Sequence, residues 1–522
     1  MPKKSAVHIH ILIRVSRELL LMKLEELAGQ QLMIGVSGTQ VTPETISLFR
    51  ETHAGGVIFF RPNFSSAEAF KRLIADLEAE LGRKLLVAVD HEGGRVIHLA
   101  EGITVFPDNL ALGHTGKVEY ASKQGTIEGK ELRRLGIDLN LAPTLDVLTK
   151  AFSPNIGIRS YGEDPELVAK LGAARIKAMQ AEGLSACAKH FPGLGQAPVD
   201  PHIALPVLPT TWDEMKSIHL TPFLAAIKAG VDTIMSSHPV YPNLDPANIP
   251  VTFSKRIIRD YLRKELGFEG VILSDDLEMG ALRDIASFGE SACRAIEAGH
   301  DMVLVCHNPE AQREAADTLI RAYHDRKLDY NELEKSVARL EKLKKKRPVR
   351  FEKGAPLPES AGKPLAERIA KEALEKTNIK SKLEGSLTVI FPRLSVLENR
   401  IFIESEVCQE EKFVTDILKR YEIEPKAIQI VKMDPTDHDI QEARMLAGLS
   451  DSVLFFCFDA HLFAQCRRLL DAVQTTAKRC AVVLLRDPYD QEFINKEVTC
   501  VQTFGFRAVQ VRAVFDLLFS HR

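Results

Sequence analysis

Residues 185–206 read SACAKHFPGLGQAPVDPHIALP. A short apolar run ends in Lys189 and His190, and the chain then passes through glycines and prolines to Asp200, Pro201 and His202. Glycine and proline at this density cannot continue a helix or a central strand, so the apolar run reads as a strand and the glycine- and proline-rich stretch as a loop. A loop carrying Lys189, His190, Asp200 and His202 can do chemistry, or it can simply be wet, and the rest of the chain has to decide.

Working outward, the same pattern recurs. Short apolar runs are QLMIGVSG (31–38), GGVIFF (55–60), LLVAVDHEGG (85–94), IDLNLAPTLDV (137–147), SACAKHFPG (185–193), DTIMSSHP (232–239), GVILSDD (270–276) and DMVLVC (301–306), eight in all. The segments between them carry a helical period. In SSAEAFKRLIADLEAEL (65–81), Phe70, Leu73, Ile74, Leu77 and Leu81 share one face, and Ser65 with Glu68 is expected to form a capping box. Strands alternating with amphipathic helices pair in parallel through helical crossovers, and eight such units are what a (β/α)8 barrel of the TIM type needs. Polar residues cluster at the C-terminal ends of these runs: Asp90, His91 and Glu92; Asp146; Lys189 and His190; His238; Asp275 and Asp276. In a barrel of this kind that face holds the active site.

The barrel is expected over residues 22–345, followed by a Pro-, Gly- and charge-rich linker at 346–363. Residues 364–522 open with the helical LAERIAKEALEK and then alternate helices with LTVIFP (387–392), AIQIVKM (427–433), SVLFFCF (452–458), CAVVLLRD (480–487) and VTCVQTFGF (498–506). This predicts a smaller α/β sandwich domain around a parallel sheet, structural in role or lining the outer substrate groove. It has no glycine-rich phosphate loop, so no nucleotide cofactor is expected. The basic run Lys344–Arg347 ends a helix and reads as dipole complement rather than a nucleic-acid patch.

Composition agrees with a two-domain globular chain of 522 residues, 45% hydrophobic and 27% charged. A formal charge of −3 gives no field that would draw nucleic acid or an anionic membrane. The eight cysteines form no CxxC pair and no metal-ligand spacing, and read as small buried hydrophobes in a reducing compartment. Arg14, Arg17 and Glu18 interrupt the N-terminal apolar patch, and no run reaches the roughly 18 apolar residues a membrane span needs. These features predict a cytoplasmic location, with Met22 the native start and residues 1–21 a non-native or disordered extension. Oligomeric state cannot be read from the sequence.

Carboxylates at a barrel mouth without a metal-ligand cluster suggest acid/base or nucleophilic chemistry on a neutral polar substrate. Asp275 sits where an apolar strand meets the mouth and can attack an electrophilic carbon. Asp200 and His202 flank a rigid proline, which lets the carboxylate fix the imidazole's tautomer and raise its basicity.

Taken together, KHFPGLGQAPVDPHIALP, VDHEGGRV, IGIRSYGEDP and LSDDLEM, in this order on a barrel pattern, resemble glycoside hydrolase family 3, and within it the bacterial β-N-acetylglucosaminidases. The resemblance covers roughly residues 22 to 345. It implies that Asp275 is the nucleophile of a covalent glycosyl-enzyme intermediate, His202 the general acid/base and Asp200 its orienting partner. It also implies that Lys189, His190, Arg159 and Asp90 hydrogen-bond the hydroxyls of the sugar being cleaved. Retaining glycosidases ordinarily use two carboxyls about 5 Å apart; here an imidazole, with a pKa near 6.5, supplies the proton near neutral pH.

Three departures from the family pattern, at four positions, stand out. Leu194 and Gln196 replace a His and an Asp in the loop, Pro201 replaces a Ser, and His98 stands where a second sugar-contacting Arg is usual, eight residues after Asp90. Histidine cannot reproduce a guanidinium's bidentate contact, so the departures bear on the sugar accepted. The implied activity is a retaining exo-β-N-acetylhexosaminidase on peptidoglycan-derived or related amino-sugar fragments. A family 3 glycosidase or phosphorylase of different sugar specificity is the alternative, since a His acid/base does not repel incoming phosphate. A catalytically silent sugar-binding protein is the third reading, set against the presence of Asp275, Asp200 and His202.

Overall fold

A computed structural model describes residues 22–149, 153–197, 199–346, 361–377 and 382–520. The expected extension at 1–21 and most of the expected linker, 347–360, lie outside these residues. The chain forms two compact units. One holds the chain through Glu92 with His98–Thr104 and Ala121–Ser360; the other holds Gly93–Ile97, Val105–Tyr120 and the chain from Ala361.

In the first unit eight strands close a barrel: β1 (Leu32–Gly35), β2 (Gly56–Phe59), β3 (Leu86–Val89), β4 (Leu139–Asn140), β5 (Ser185–Phe191), β6 (Thr233–Ser236), β7 (Val271–Asp276) and β8 (Met302–Val305). All neighbours pair in parallel and β1 closes on β8. Each strand lies inside its predicted run. The fourth run is eleven residues long but contributes a two-residue strand. Pro143 has no N–H to continue a ladder, and beyond it Leu145 donates to the carbonyl of Lys189 at 2.6 Å.

Side chains alternate along a strand, and the buried cluster that fills the barrel takes alternate residues: Met33, Ile58, Leu86 and Ala88, Leu139, Cys187, Met235, Val271 and Leu273, Met302 and Leu304. The same alternation, carried one step past Ala88, Cys187 and Leu273, reaches Asp90, Lys189 and Asp275. Polar side chains thus begin where the apolar filling ends. Strands β5 and β7 each bulge there: Ala188 to Phe191 spans three steps against two on β6, as Leu273 to Asp276 does against β8. Such irregularities re-aim side chains, and these two sit on the strands that carry Lys189, His190 and Asp275.

The helix Ala67–Leu81 buries Phe70, Leu73, Ile74 and Leu77 as its period predicts, while the fifth residue of that face, Leu81, is only half-buried at the helix end. Its cap is Ser66, whose hydroxyl accepts from the Ala69 amide at 3.2 Å, not Ser65. Two adjacent serines offer the same chemistry, and the one whose backbone is extended with a helical third neighbour takes the role. Among the described residues no helix is long and apolar enough to cross a membrane.

The second unit carries a six-stranded sheet in the order β11-β10-β12-β13-β14-β9. Here β10 is Leu387–Pro392, β11 Ala427–Val431, β12 Ser452–Cys457, β13 Cys480–Leu484 and β14 Thr499–Gln502, all parallel. The edge strand β9 (Glu375–Thr377) runs antiparallel to β14, so the sheet is mixed where an all-parallel one was expected. Its three residues are charged or polar and none is buried, which leaves no apolar alternation to read.

Candidate active site

The barrel mouth is floored by a chain of charge-assisted hydrogen bonds. Lys189, at the end of β5, is 1% exposed, and its ammonium lies 2.5 Å from Asp90 and 2.6 Å from Glu92. Glu92 is gripped from its other side by Arg159, whose Nε and Nη2 donate to the two carboxylate oxygens at 2.9 and 2.7 Å. Nη2 of Arg159 also approaches Nε2 of His190 at 3.5 Å, and Nδ1 of His190 sits 2.7 Å from Asp146. The four cradle residues named from sequence, Asp90, Arg159, Lys189 and His190, are therefore one connected network. Burial works against charge on Glu92, yet Arg159 and Lys189 outweigh it and hold the carboxyl well below its usual range. Burial likewise disfavours the Lys189 ammonium, and Asp90 and Glu92 reverse this and raise its pKa.

Asp275 ends β7, with Oδ1 accepting from the Asp276 amide at 2.9 Å. Burial would push its pKa up, but the imidazoles of His190, His238 and His202 overcome that and bring it below the ordinary aspartate value. Asp276, next in the chain, goes the other way: burial lifts it to about 7. His238 is held by Thr252, 2.6 Å from Nδ1, and by the carbonyl of Asp276, 2.9 Å from Nε2.

Asp200 and His202 form the expected dyad, with Nδ1 of His202 2.7 Å from Oδ1 of Asp200. That oxygen also accepts from the His202 amide at 3.0 Å, so the dyad closes its own turn. The imidazole is 61% exposed. Its pKa is raised, first by the hydrogen bond that its Nδ1–H donates to Asp200, against burial and with a contribution from the charge of Asp275. The loop is tied to the segment after β7: the Ala281 amide donates to the Pro201 carbonyl at 2.9 Å. A Cβ on Gly280 would stand 2.4 Å from the carbonyl oxygen of His202, so only glycine fits there.

The chain's residues 23–343 match the family described as "Glycosyl hydrolase family 3 N terminal domain". The protein belongs to glycoside hydrolase family 3. Among curated relatives, a protein named beta-hexosaminidase from Thioalkalivibrio sulfidiphilus is 39% identical over 293 residues, which is 55% of this chain and 83% of that one. A namesake from Idiomarina loihiensis is 37% identical over 285 residues, 53% of this chain and 84% of that one. A solved family 3 β-N-acetylglucosaminidase from Paenibacillus sp. str. FPU-7 superposes with a TM-score of 0.89 at 31% identity, covering 96% of this chain and 97% of its own. The protein is a glycoside hydrolase.

In this family 3 enzyme the departures from the family pattern can be placed. Leu194 is buried, and its amide donates to Asp146 at 2.6 Å, so the backbone contact that braces His190 does not depend on the side chain there. Gln196 hydrogen-bonds the hydroxyl of Thr210. His98 packs its ring edge-on to Phe60 with centroids 5.4 Å apart, and Phe60 in turn meets His307 at 4.8 Å. Burial lowers the pKa of His98, so the position usually held by a guanidinium carries a ring that tends to be neutral.

Glu92 and Asp146 were visible in the sequence as polar residues at strand ends, but no role attached to them there. Their function is to brace groups 67 and 44 residues away, which no local spacing announces. Glu92 is 1% exposed between two cations. Removing one member of such a buried set leaves uncompensated charge. Replacing Glu92 by alanine is expected to cost about 3–5 kcal/mol of barrel stability, read as a fall in the urea midpoint of the barrel's unfolding transition.

Proposed function

We propose that this enzyme is a retaining exo-β-N-acetylhexosaminidase acting on terminal β-linked N-acetylglucosamine in peptidoglycan-derived or related amino-sugar fragments. The observation that carries the reading is the Asp200–His202 dyad on a loop pinned, through Ala281, to the segment that comes after Asp275. Relatives named for this activity support the choice of sugar.

In this reading the ionised Asp275 attacks the anomeric carbon while His202 gives its proton to the departing oxygen, leaving a glycosyl ester. His202, now neutral, takes a proton from water, whose oxygen attacks the same carbon and releases Asp275. Two displacements return the original configuration. Asp90, Arg159, Lys189 and His190 hold the sugar hydroxyls, and the bracing of Arg159 and Lys189 by Glu92 and of His190 by Asp146 fixes those three groups before substrate arrives, so little reorganisation is required. His98 and Phe60 give the cradle a neutral aromatic edge in place of a cation.

A panel of 4-nitrophenyl β-glycosides tests the sugar. The expected result is turnover of the N-acetylglucosaminide far above the glucoside, with β-configured sugar as the first product seen by NMR. An α-configured first product or preference for glucose would defeat the proposal. The exposed imidazole also admits phosphate, and the panel is run with and without it, free sugar being expected in both.

The acid limb of the mechanism has a direction that can be checked. His202 must be protonated to act as acid, so activity falls as pH rises through its raised pKa. Asp200→Asn removes the first cause of that rise, and the alkaline limb of the kcat/KM profile is expected to move to lower pH.

A further inference from the structure

In the C-terminal unit, Asp459 and His461 come just after β12 and Asp487 just after β13. These are adjacent parallel strands, and the residues lie at their carboxyl ends, the end at which open α/β sheets bind ligands. One ligand-capable atom from each residue lies within 4.8 Å of the other two. We propose that Asp459, His461 and Asp487 form a binding site for a first-row transition-metal dication, zinc being the ion whose preferences they fit.

The hydrogen bonding of the two aspartates is incomplete. Nη1 of Arg486 donates to Oδ2 of Asp459 at 2.6 Å, whereas its Nε lies 3.1 Å from Oδ2 of Asp487 as an ion pair without a hydrogen bond. Oδ1 of each carboxylate accepts no hydrogen bond among the described residues, although Asp459 is only 4% and Asp487 only 2% exposed. A buried carboxylate oxygen without a donor is costly, and it is what a metal ligand looks like before its ion. His461 commits Nδ1 to Asp490 at 2.7 Å, which presents Nε2 as the ring nitrogen an ion would take.

Asp490 itself is fully spent. Oδ1 also accepts from the His461 amide at 2.7 Å, and Oδ2 from the Ala460 amide at 2.9 Å and the Cys457 thiol at 3.6 Å. A carboxylate that orients a histidine from behind is the usual outer support of a metal-bound imidazole. Charge points the same way: among the described residues Arg486 pairs with both Asp459 and Asp487, while the third carboxylate, Asp490, lies against His461.

One nitrogen and two carboxylate oxygens suit zinc, at about 2.0–2.2 Å from each ligand. Ligand atoms around a tetrahedral zinc are about 3.3–3.6 Å apart, so a set spread over as much as 4.8 Å closes on an ion by side-chain shifts of up to about 1 Å. The sequence spacing shows no metal motif because the third ligand arrives from a different strand.

The test uses the full chain, stripped with EDTA and dialysed, and titrated with zinc chloride by calorimetry with metal content read by mass spectrometry. One equivalent is expected in the unaltered protein and in His202→Ala, and none of stoichiometric strength in Asp487→Asn. Asp490→Asn, which keeps all three ligands, is expected to weaken binding about 10- to 100-fold. Cobalt in the unaltered protein gives a second reading that needs no variant: a visible absorption band at one equivalent. Absence of stoichiometric uptake by the unaltered protein, or uptake that is lost with His202 and kept without Asp487, would overturn the proposal.

Discussion

Asp275→Ala is expected to lower kcat on an aryl N-acetylglucosaminide by at least about 10⁴-fold with the fold intact, the order of loss seen when an enzyme is deprived of its nucleophile. The sequence offers two adjacent carboxylates, and the environment separates them. Asp276 is lifted to about 7 by burial, so near neutral pH much of it carries a proton and cannot attack. Asp275 is held low by three imidazoles in spite of its burial, and stays ionised. Asp276 also has another task, its carbonyl fixing His238 at 2.9 Å. Adding azide to Asp275→Ala supplies a small nucleophile to the vacated face, and an α-configured glycosyl azide is the expected product. Turnover of Asp275→Ala within tenfold of the parent would remove Asp275 from the proposed mechanism.

The second large effect is expected from His202→Ala, and its size should depend on the leaving group. Loss of a general acid costs about 10²- to 10⁴-fold when the departing oxygen needs a proton. A 2,4-dinitrophenolate needs none, so with that substrate the first displacement should proceed nearly unchanged. Hydrolysis of the intermediate still needs a base, and the variant should show a burst of phenolate and then slow turnover with a depressed KM. The imidazole's 61% exposure and its bond to Asp200 at 2.7 Å make it a group that reaches out rather than one that holds the barrel together. Equal losses for good and poor leaving groups would mean that the residue only shapes the loop.

The barrel was legible because its signal is repetitive: eight apolar runs, each closing on polar residues, leave few arrangements other than a closed parallel ring. Lys189, Asp90 and Asp275 stood out because they continue the inward alternation beyond the last apolar residue. The features that escaped notice depend on distant partners. Glu92 is defined by Arg159 and Lys189, and Asp146 by His190 and the Leu194 amide, across long stretches of chain. Gly280 gave no signal at all, because the atom that forbids a side chain there belongs to His202. Strand β9 was missed for the opposite reason: its three polar residues at an edge carry no buried face to betray them. The Ser65–Ser66 shift shows the ordinary one-residue uncertainty of caps when neighbours share a chemistry.

The tie between residues 201–202 and 280–281 has a consequence for engineering. The two connections are cut to each other's shape, one contributing carbonyls and the other a bare α-carbon and an amide. A chimera that imports the 189–206 segment from a cousin must import its counterpart after β7 as well. Libraries that diversify only one of the pair would spend most of their members on mouths that do not close.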